Sequence, residues 1–171
     1  PVYWQDQLGG YTACLAHHGD VGGGAPASVG AFREVFQEGI IIPPIKLVAG
    51  GEIDDDLFRL VLSQIRSKRE TAGDFRAQIA SNRTGALRIN EIIDRYGLDE
   101  FDRYIDEIIE YTDRRTRAEV ATLPHGVFSA KGFVDNDGFT DDVVNLAVTV
   151  TIDDDGVRFD TTGSDPQRRA P

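Results

Sequence analysis

Two adjacent histidines, followed closely by an aspartate and three glycines, are the residues of this sequence best suited to chemistry. His17, His18 and Asp20 lie in the stretch AHHGDVGGG, which covers residues 16–24. Imidazole and carboxylate groups are good ligands for zinc, manganese or iron. Successive side chains of a strand point to opposite faces, so one histidine rather than both should share a metal ion with Asp20. A turn at Gly19 favours His17 with Asp20. The alternative is a histidine pair that ends a strand and bonds to nearby backbone.

A glycine run follows the histidines, and a lysine follows a double proline further along the chain. Gly22 and Gly23 can present backbone amides to a phosphate, or they can form a flexible turn beside the site. The run lacks the Gly-Lys-Ser/Thr ending of a P-loop and the spacing of a dinucleotide fingerprint. Lys46 can be a positioned cation or an ordinary solvated lysine. We take Gly22, Gly23 and Lys46 as the candidate substrate-binding residues.

The other charged or reactive residues have plainer explanations. Arg66 belongs to a basic stretch that can bind a carboxylate or phosphate, although ion pairs on a helix surface are its default explanation. Cys14 is poorly placed for a dyad with His17 along one strand, and a buried structural cysteine is favoured. Two Asp-rich loops, at 135–138 and 153–156, lack the later ligands of an EF-hand, which favours simple turns.

The charge and composition exclude several classes of protein. The 171 residues carry a formal net charge of -11, and 40% of them are hydrophobic. A protein that binds nucleic-acid phosphates needs positive charge, and the same argument disfavours an anionic membrane surface. No apolar run approaches the roughly eighteen residues of a membrane span. A single cysteine excludes an internal disulfide and fits a reducing compartment, so we expect a cytoplasmic protein.

Residues 1–53 are rich in Gly, Pro and β-branched residues, which predicts strands and loops. A strand at residues 2–5 and a partner at residues 11–17 form a predicted hairpin across the turn residues between them. Helical spacing of apolar residues predicts a short helix over residues 29–37. The double proline favours an extended chain over residues 40–48.

Residues 54–121 form a predicted helical segment of about three helices. Aspartates favour the start of the first helix, whose apolar face runs over residues 57–65. The second helix begins near residues 71–74 and runs to Tyr96, with Gly85 marking either a bend or a close contact. The third helix begins at Asp99 and extends toward Val120. Helices of this length favour an antiparallel hairpin or a small bundle.

Residues 122–171 return to strand patterns. Strands are predicted at 127–134, 143–152 and 157–161, and an Asp-rich turn joins the last two into a hairpin. Alternation places one set of side chains on a single side of the middle strand, namely Val144, Leu146, Val148, Val150 and Ile152. Strand pairs at both ends of a helical middle define an α+β fold. We expect all three segments to belong to one larger domain.

Four segments along the chain together carry a resemblance to a known family. They read AHHGDVGG, QEGIIIPPIKL, GDFRAQIA and TGSDPQ, and they begin at Ala16, Gln37, Gly73 and Thr162. In this order they resemble the hydantoinase B/oxoprolinase family. That family includes the B subunit of N-methylhydantoinase, the C-terminal part of 5-oxoprolinase, and related subunits of acetone and acetophenone carboxylases. Ala27 departs from the family pattern Pro-Gly-Ser, a change confined to the loop.

The resemblance implies a division of labour between two subunits. A partner subunit or domain of hydantoinase A type binds ATP and activates the substrate by phosphorylation, and the B-type part completes ring opening or carboxylation. The resemblance also implies a divalent metal ion (zinc, manganese or magnesium) at the His-His-x-Asp segment, here His17 and Asp20, with further ligands upstream. His18 is then expected to orient or assist proton transfer.

Three hypotheses follow for the function. The first is a portion of the B-type subunit of a hetero-oligomeric, ATP-dependent hydrolase of small cyclic amides, of the hydantoin or 5-oxoproline kind. The second keeps the family but changes the reaction to ATP-dependent carboxylation of a ketone. The third is an assembly domain, in which the apolar faces of residues 57–65 and 101–111 pack against a partner subunit. The start at Pro1 and the lack of methionine agree with an internal portion of a longer protein.

Overall fold

The α+β fold class is confirmed by the computed structural model, which describes residues 1–28 and 30–168. The chain packs as two compact units, one from Pro1 to Arg95 and one from Tyr96 onward. This division follows packing rather than the predicted changes of secondary structure at residues 53 and 121. Membership of the three predicted segments in one larger domain stays a prediction. Among the described residues, no helix is both long and apolar enough to cross a bilayer.

The first unit opens with a hairpin of strands β1 (Val2–Trp4) and β2 (Gln7–Gly10). The predicted partner, residues 11–17, is therefore wrong. Gln5 and Asp6 form the turn with φ of 46° and 66°. Tight hairpin turns of this kind need positive φ at both central residues, which the spacing of apolar residues does not reveal.

Residues 11–17 are instead held against a long helix, α3 (Lys68–Tyr96). The Thr12 hydroxyl donates a hydrogen bond to the Asn82 carbonyl at 3.2 Å, and the Gln78 amide donates to the Cys14 carbonyl at 3.4 Å. A Cβ at Gly85 would lie 2.8 Å from the Thr12 methyl group. Gly85 therefore marks a close contact, one of the two predicted alternatives.

The segment between the glycine run and the first long helix contains only short elements. A 3₁₀ turn at Pro26–Ser28 precedes helix α1 (Val35–Glu38) and strands β3 (Val48–Ala49) and β4 (Glu52–Ile53). The predicted helix at 29–37 is wrong over most of its length, and its first residue, Val29, lies outside the described residues. The Gln37 carbonyl accepts a 2.7 Å hydrogen bond from the Gly24 amide, so this segment packs on the glycine run instead of forming further helical turns.

Helix α2 (Asp55–Ser63) and the loop after it supply much of the core of the first unit. The Asp54 carboxylate caps the helix by accepting hydrogen bonds from the Asp56 and Leu57 amides at 3.1 and 2.9 Å. Six hydrophobic side chains are buried: Val2, Phe58, Val61, Ile65, Ala72 and Ile93. Much of the predicted apolar face of residues 57–65 therefore lies in the core, which removes it as a docking face for a partner subunit.

The second unit contains helix α4 (Leu98–Val120) and one antiparallel sheet. The sheet has strands β5 (Gly126–Val134), β6 (Val144–Asp153) and β7 (Gly156–Asp160), in that order, and confirms the three predicted strands. No residue of 96–168 is buried.

The register of the sheet separates two sets of side chains. Because directly opposed residues share a face, the pairing gives one face without charged or polar side chains, which we call the apolar sheet face. Its members are Phe128, Ala130, Val134, Val144, Leu146, Val148, Val150, Ile152, Val157 and Phe159. The predicted alternation along β6 is confirmed.

The segment TGSDPQ continues along the edge of β6 beyond the end of β7. The Ser164 hydroxyl lies 2.9 Å from the Ala147 amide and 3.0 Å from the Ala147 carbonyl oxygen, so it accepts from one and donates to the other. The Asp165 amide donates to the Asn145 carbonyl at 2.9 Å. These bonds give this family segment a structural role, as a side-chain substitute for strand pairing.

Truncation of Ile93, which is 0% exposed, is expected to destabilise the first unit. Ile93→Ala should lower the free energy of unfolding by about 2–5 kcal/mol, because the lost side chain leaves a cavity. Its neighbour Ile92 is 46% exposed, so Ile92→Ala is the control and should cost less than about 1 kcal/mol. Urea denaturation of the two variants measures the difference, and equal costs would contradict the assigned core.

Candidate functional site

His17 and His18 line one open cleft of about 580 Å³ in the first unit. Val21 and Phe32 give the wall apolar surface, and Glu38 adds a carboxylate. The structure therefore brings both predicted histidines to a cavity of the size that a small ring compound needs.

The two histidines have different surroundings. His17 is exposed, whereas the side chain of His18 is only 9% exposed. His18 Nδ1 lies 3.2 Å from the Asp74 carboxylate, and Nε2 lies 3.1 Å from the Gln78 side-chain oxygen. Its ring centroid is 5.1 Å from that of Phe75. Both nitrogens of His18 are thus engaged by α3, and His17 is the imidazole available to a molecule in the cleft.

Asp20 is buried, with 5% of its surface exposed, and its carboxylate is used inside the protein. Oδ1 accepts hydrogen bonds from the Gly22 amide at 2.9 Å and the Arg66 amide at 3.4 Å. Oδ2 accepts from the Ala27 amide at 2.8 Å and from Arg66 Nη1 at 3.1 Å. The buried charge is therefore paired and hydrogen-bonded on both oxygens, as a buried carboxylate requires.

Arg66 binds the other side of the same loop. Its Nη1 also donates to the carbonyls of Gly22 and Ala25 at 3.3 and 3.0 Å, and its Nη2 donates to the Gly23 carbonyl at 2.7 Å. Arg66 and Asp20 together close residues 20–27 into a fixed loop, which we call the clamped loop. The planar fork of donors in arginine suits this multiple contact, which a lysine cannot reproduce.

The residues predicted to hold a metal ion fit it poorly as they are placed. The oxygens of Asp20 already accept four hydrogen bonds, while His17 lies exposed in the cleft. Over residues 1–28 and 30–168, no group of three or more His, Cys, Asp or Glu side chains is placed to hold a metal ion. The described residues therefore do not by themselves form the predicted divalent-metal site.

Gly22 and Gly23 have clear packing roles. Their φ values are 83° and 80°, which favour glycine. A Cβ would lie 2.8 Å from the Gln64 carbonyl oxygen at Gly22 and 2.3 Å from the Gln37 carbonyl oxygen at Gly23. The Gly22 amide is also used by Asp20. The pattern is therefore explained by close backbone approach, and substrate binding by these glycines stays a prediction.

Lys46 lies apart from the histidine cleft. It is exposed and lines a second open cleft of about 520 Å³, whose wall also includes Ile79 and Arg83. The structure thus does not place it with His17 and His18 in one cavity, and its role in substrate binding stays a prediction.

Three residues of the site are not evident as contacts from the sequence. A helix surface is the expected place for Arg66, whereas it lies between α2 and α3 and pairs with a carboxylate 46 positions away. Asp74 and Gln78 carry a usable signal, because they are four residues apart in a helical pattern and therefore share a face. Both also lie in the segment GDFRAQIA.

The chain belongs to the hydantoinase B/oxoprolinase family, whose model matches residues 1–171. The putative B subunit of the D-/L-hydantoinase of Pseudomonas sp. (strain NS671) is 34% identical over 173 residues, which are 98% of this chain and 29% of that protein. The crystal structure of the ATP-dependent caprolactamase from Pseudomonas jessenii matches 88% of this chain and 26% of its own, with a TM-score of 0.76 and 30% identity.

A nucleotide-free acetone carboxylase structure covers 99% of this chain and 24% of its own, with a TM-score of 0.84. At 20% identity it shows a shared fold. The family resemblance is thus confirmed, and the chain spans less than a third of the length of these relatives.

The contribution of Asp20 to stability should depend on pH. The amide of Gly22, followed by the amide and side chain of Arg66, holds the pKa of the Asp20 carboxyl below its ordinary value of 3.8. A lowered pKa in the folded state means that the contribution is complete above the unfolded pKa and is lost as the pH falls through the folded pKa.

Asp20→Asn should therefore melt below the wild type at pH 7, and the difference should narrow as the pH falls below about 4. Thermal unfolding between pH 2 and pH 7 measures this trend. Asp55→Asn, at an exposed position in the first turn of α2, is the control and should follow the wild type. A gap that does not change with pH would contradict the role of ionised Asp20.

Replacement of Ala27 by glycine should stabilise the clamped loop. Ala27 has φ 59° and ψ 13°, a left-handed conformation that costs a residue with a Cβ about 1–2 kcal/mol. The greater freedom of glycine in the unfolded chain offsets about 0.4–1 kcal/mol. Ala27→Gly should thus raise the free energy of unfolding by about 0.5–1 kcal/mol. Ala25→Gly, where φ is not positive, should lower it by a similar amount, and a loss in both variants would contradict this assignment.

Proposed function

We propose that residues 1–171 are part of the B-type subunit of an ATP-dependent enzyme that opens the ring of a small cyclic amide, of the hydantoin or 5-oxoproline kind. Family membership and the hydantoinase and caprolactamase names of the relatives support this reaction class. The observation that carries the proposal is the cleft in which His17 is exposed beside apolar wall residues.

The chemistry assigned to the cleft is proton transfer. Ring opening adds water to the amide carbon, breaks the carbon–nitrogen bond and leaves a proton on the released nitrogen. A neutral imidazole can take a proton from the attacking water and return it to the nitrogen. Because both ring nitrogens of His18 are engaged by Asp74 and Gln78, we assign this transfer to His17 and an orienting role to His18.

The remaining site assignments are predictions for the whole protein. A divalent ion (zinc, manganese or magnesium) bound by His17 and Asp20 would require further ligands and a rearrangement of the Asp20 hydrogen bonds. It would polarise the amide carbonyl or activate the water. Substrate contacts by Gly22, Gly23 and Lys46 have the same standing.

The proposed assembly is a hetero-oligomer with a hydantoinase A-type subunit or domain that binds ATP, and the proposed compartment is the cytoplasm. The ATP dependence of the caprolactamase relative supports the use of ATP. Of the two faces in the assembly hypothesis, α4 keeps an exposed apolar surface that suits subunit contact, formed by Tyr104, Ile105, Ile108, Ile109 and Tyr111.

The second candidate reaction is ATP-dependent carboxylation of a ketone, which the fold shared with acetone carboxylase favours. Substrate-dependent release of ADP by the full-length complex separates the two reactions. Hydantoins, 5-oxoproline and lactams form one set of substrates, and ketones with bicarbonate form the other. Release of ADP with the ketone set alone would overturn the hydrolase proposal.

His17→Ala should lower the turnover of the full-length complex by about 10²- to 10⁴-fold, because a positioned acid–base group is lost. Thermal stability should change little, since His17 is exposed. His125→Ala is the control, because this half-exposed histidine lies in the second unit. Turnover measured beside the melting temperature gives the test, and a fully active His17→Ala complex would contradict the assignment.

A further inference from the structure

The three strands of the second unit present an unusually uniform surface. Every directly opposed pair on the apolar sheet face joins residues without charged or polar side chains, such as Phe128 with Val150 and Val150 with Phe159. The other face carries Ser129, Lys131, Thr149, Thr151, Arg158 and Asp160 beside Val127 and Phe133. The sheet is therefore two-sided, with one face composed like the interior of a protein.

This face is open in the part of the chain that the structure describes. Phe128, Val134 and Leu146 are 47–49% exposed, and Phe159 is 70% exposed. A sheet with one apolar face is stable when that face packs against another layer of helices or strands. Large contiguous apolar patches on a protein surface mark such contacts.

The relatives indicate where the missing layer comes from. This chain aligns over 98% of its length with the hydantoinase relative from Pseudomonas sp. (strain NS671), yet it covers only 29% of that protein. Most of such a polypeptide thus lies outside the region that these 171 residues match. A face without charges suits permanent burial, since permanent contacts resemble a core cut in half, whereas transient interfaces are as polar as ordinary surface.

We propose that the apolar sheet face is one half of a hydrophobic core, and that the other half is a segment of the same B-type polypeptide outside residues 1–171. The face is thereby assigned to folding of the subunit and not to the ATP-binding partner or to a second copy of the chain.

Paired charge substitutions in the full-length B-type protein test this proposal. Val150→Asp places a carboxylate at the centre of the apolar sheet face, and Thr151→Asp places one at the next position of β6 on the other face. The expected result is a melting temperature lowered by roughly 5 °C or more for Val150→Asp, or loss of soluble protein. Thr151→Asp should melt close to the wild type. Equal melting of Val150→Asp and wild type would overturn the proposal.

Footprinting of the unsubstituted protein gives a second measurement that does not depend on folding of a variant. Hydroxyl-radical labelling of Phe128 and Phe159 is compared in the native and the urea-unfolded full-length protein. Several-fold protection in the isolated B-type protein, unchanged on dilution, is expected. Protection that appears only with the A-type subunit, or that fades on dilution, would overturn the proposal in favour of a subunit interface. Absence of protection would overturn it in favour of a solvent-exposed face.

Discussion

The hydrogen-bonded pair of Asp20 and Arg66 is the interaction on which the first unit depends. A carboxylate that is 5% exposed is stable only when its charge and its oxygens are matched, and Arg66 with two loop amides does this. The same guanidinium binds three carbonyls of the glycine run. This arrangement ties the loop between α2 and α3 to the segment after the histidines. It thereby fixes one wall of the cleft.

The long helix α3 determines which histidine is available for chemistry. Asp74 and Gln78 are one turn apart and engage both nitrogens of His18, so this residue joins the extended segment to the helix. The next residue toward the N-terminus, His17, is left exposed in the cleft. Two of the four family segments therefore meet at the histidine cleft, one supplying the imidazoles and the other the side chains that orient them.

The two units differ in how far their apolar surface is buried. The first unit encloses a small core around Phe58, Ile65 and Ile93, whereas no residue of 96–168 is buried. The second unit nevertheless has a regular sheet, because strand pairing and the side-chain bonds of Ser164 satisfy its backbone. Backbone pairing specifies the register of a sheet, and burial of its apolar face requires another layer.

The sequence by itself determined the α+β class, the positions of α2, α3 and α4, and the three strands of the second unit. Those elements follow from apolar periodicity and caps, which are local signals. It also pointed to the histidine stretch and, through four ordered segments, to the family. Tertiary structure alone decided that β2 pairs with β1, that the segment at 29–37 packs on the glycine run, and that Asp20 is bound by Arg66 rather than left open to a ligand. These outcomes depend on partners distant in the chain or on positive φ values, and spacing along a sequence carries neither.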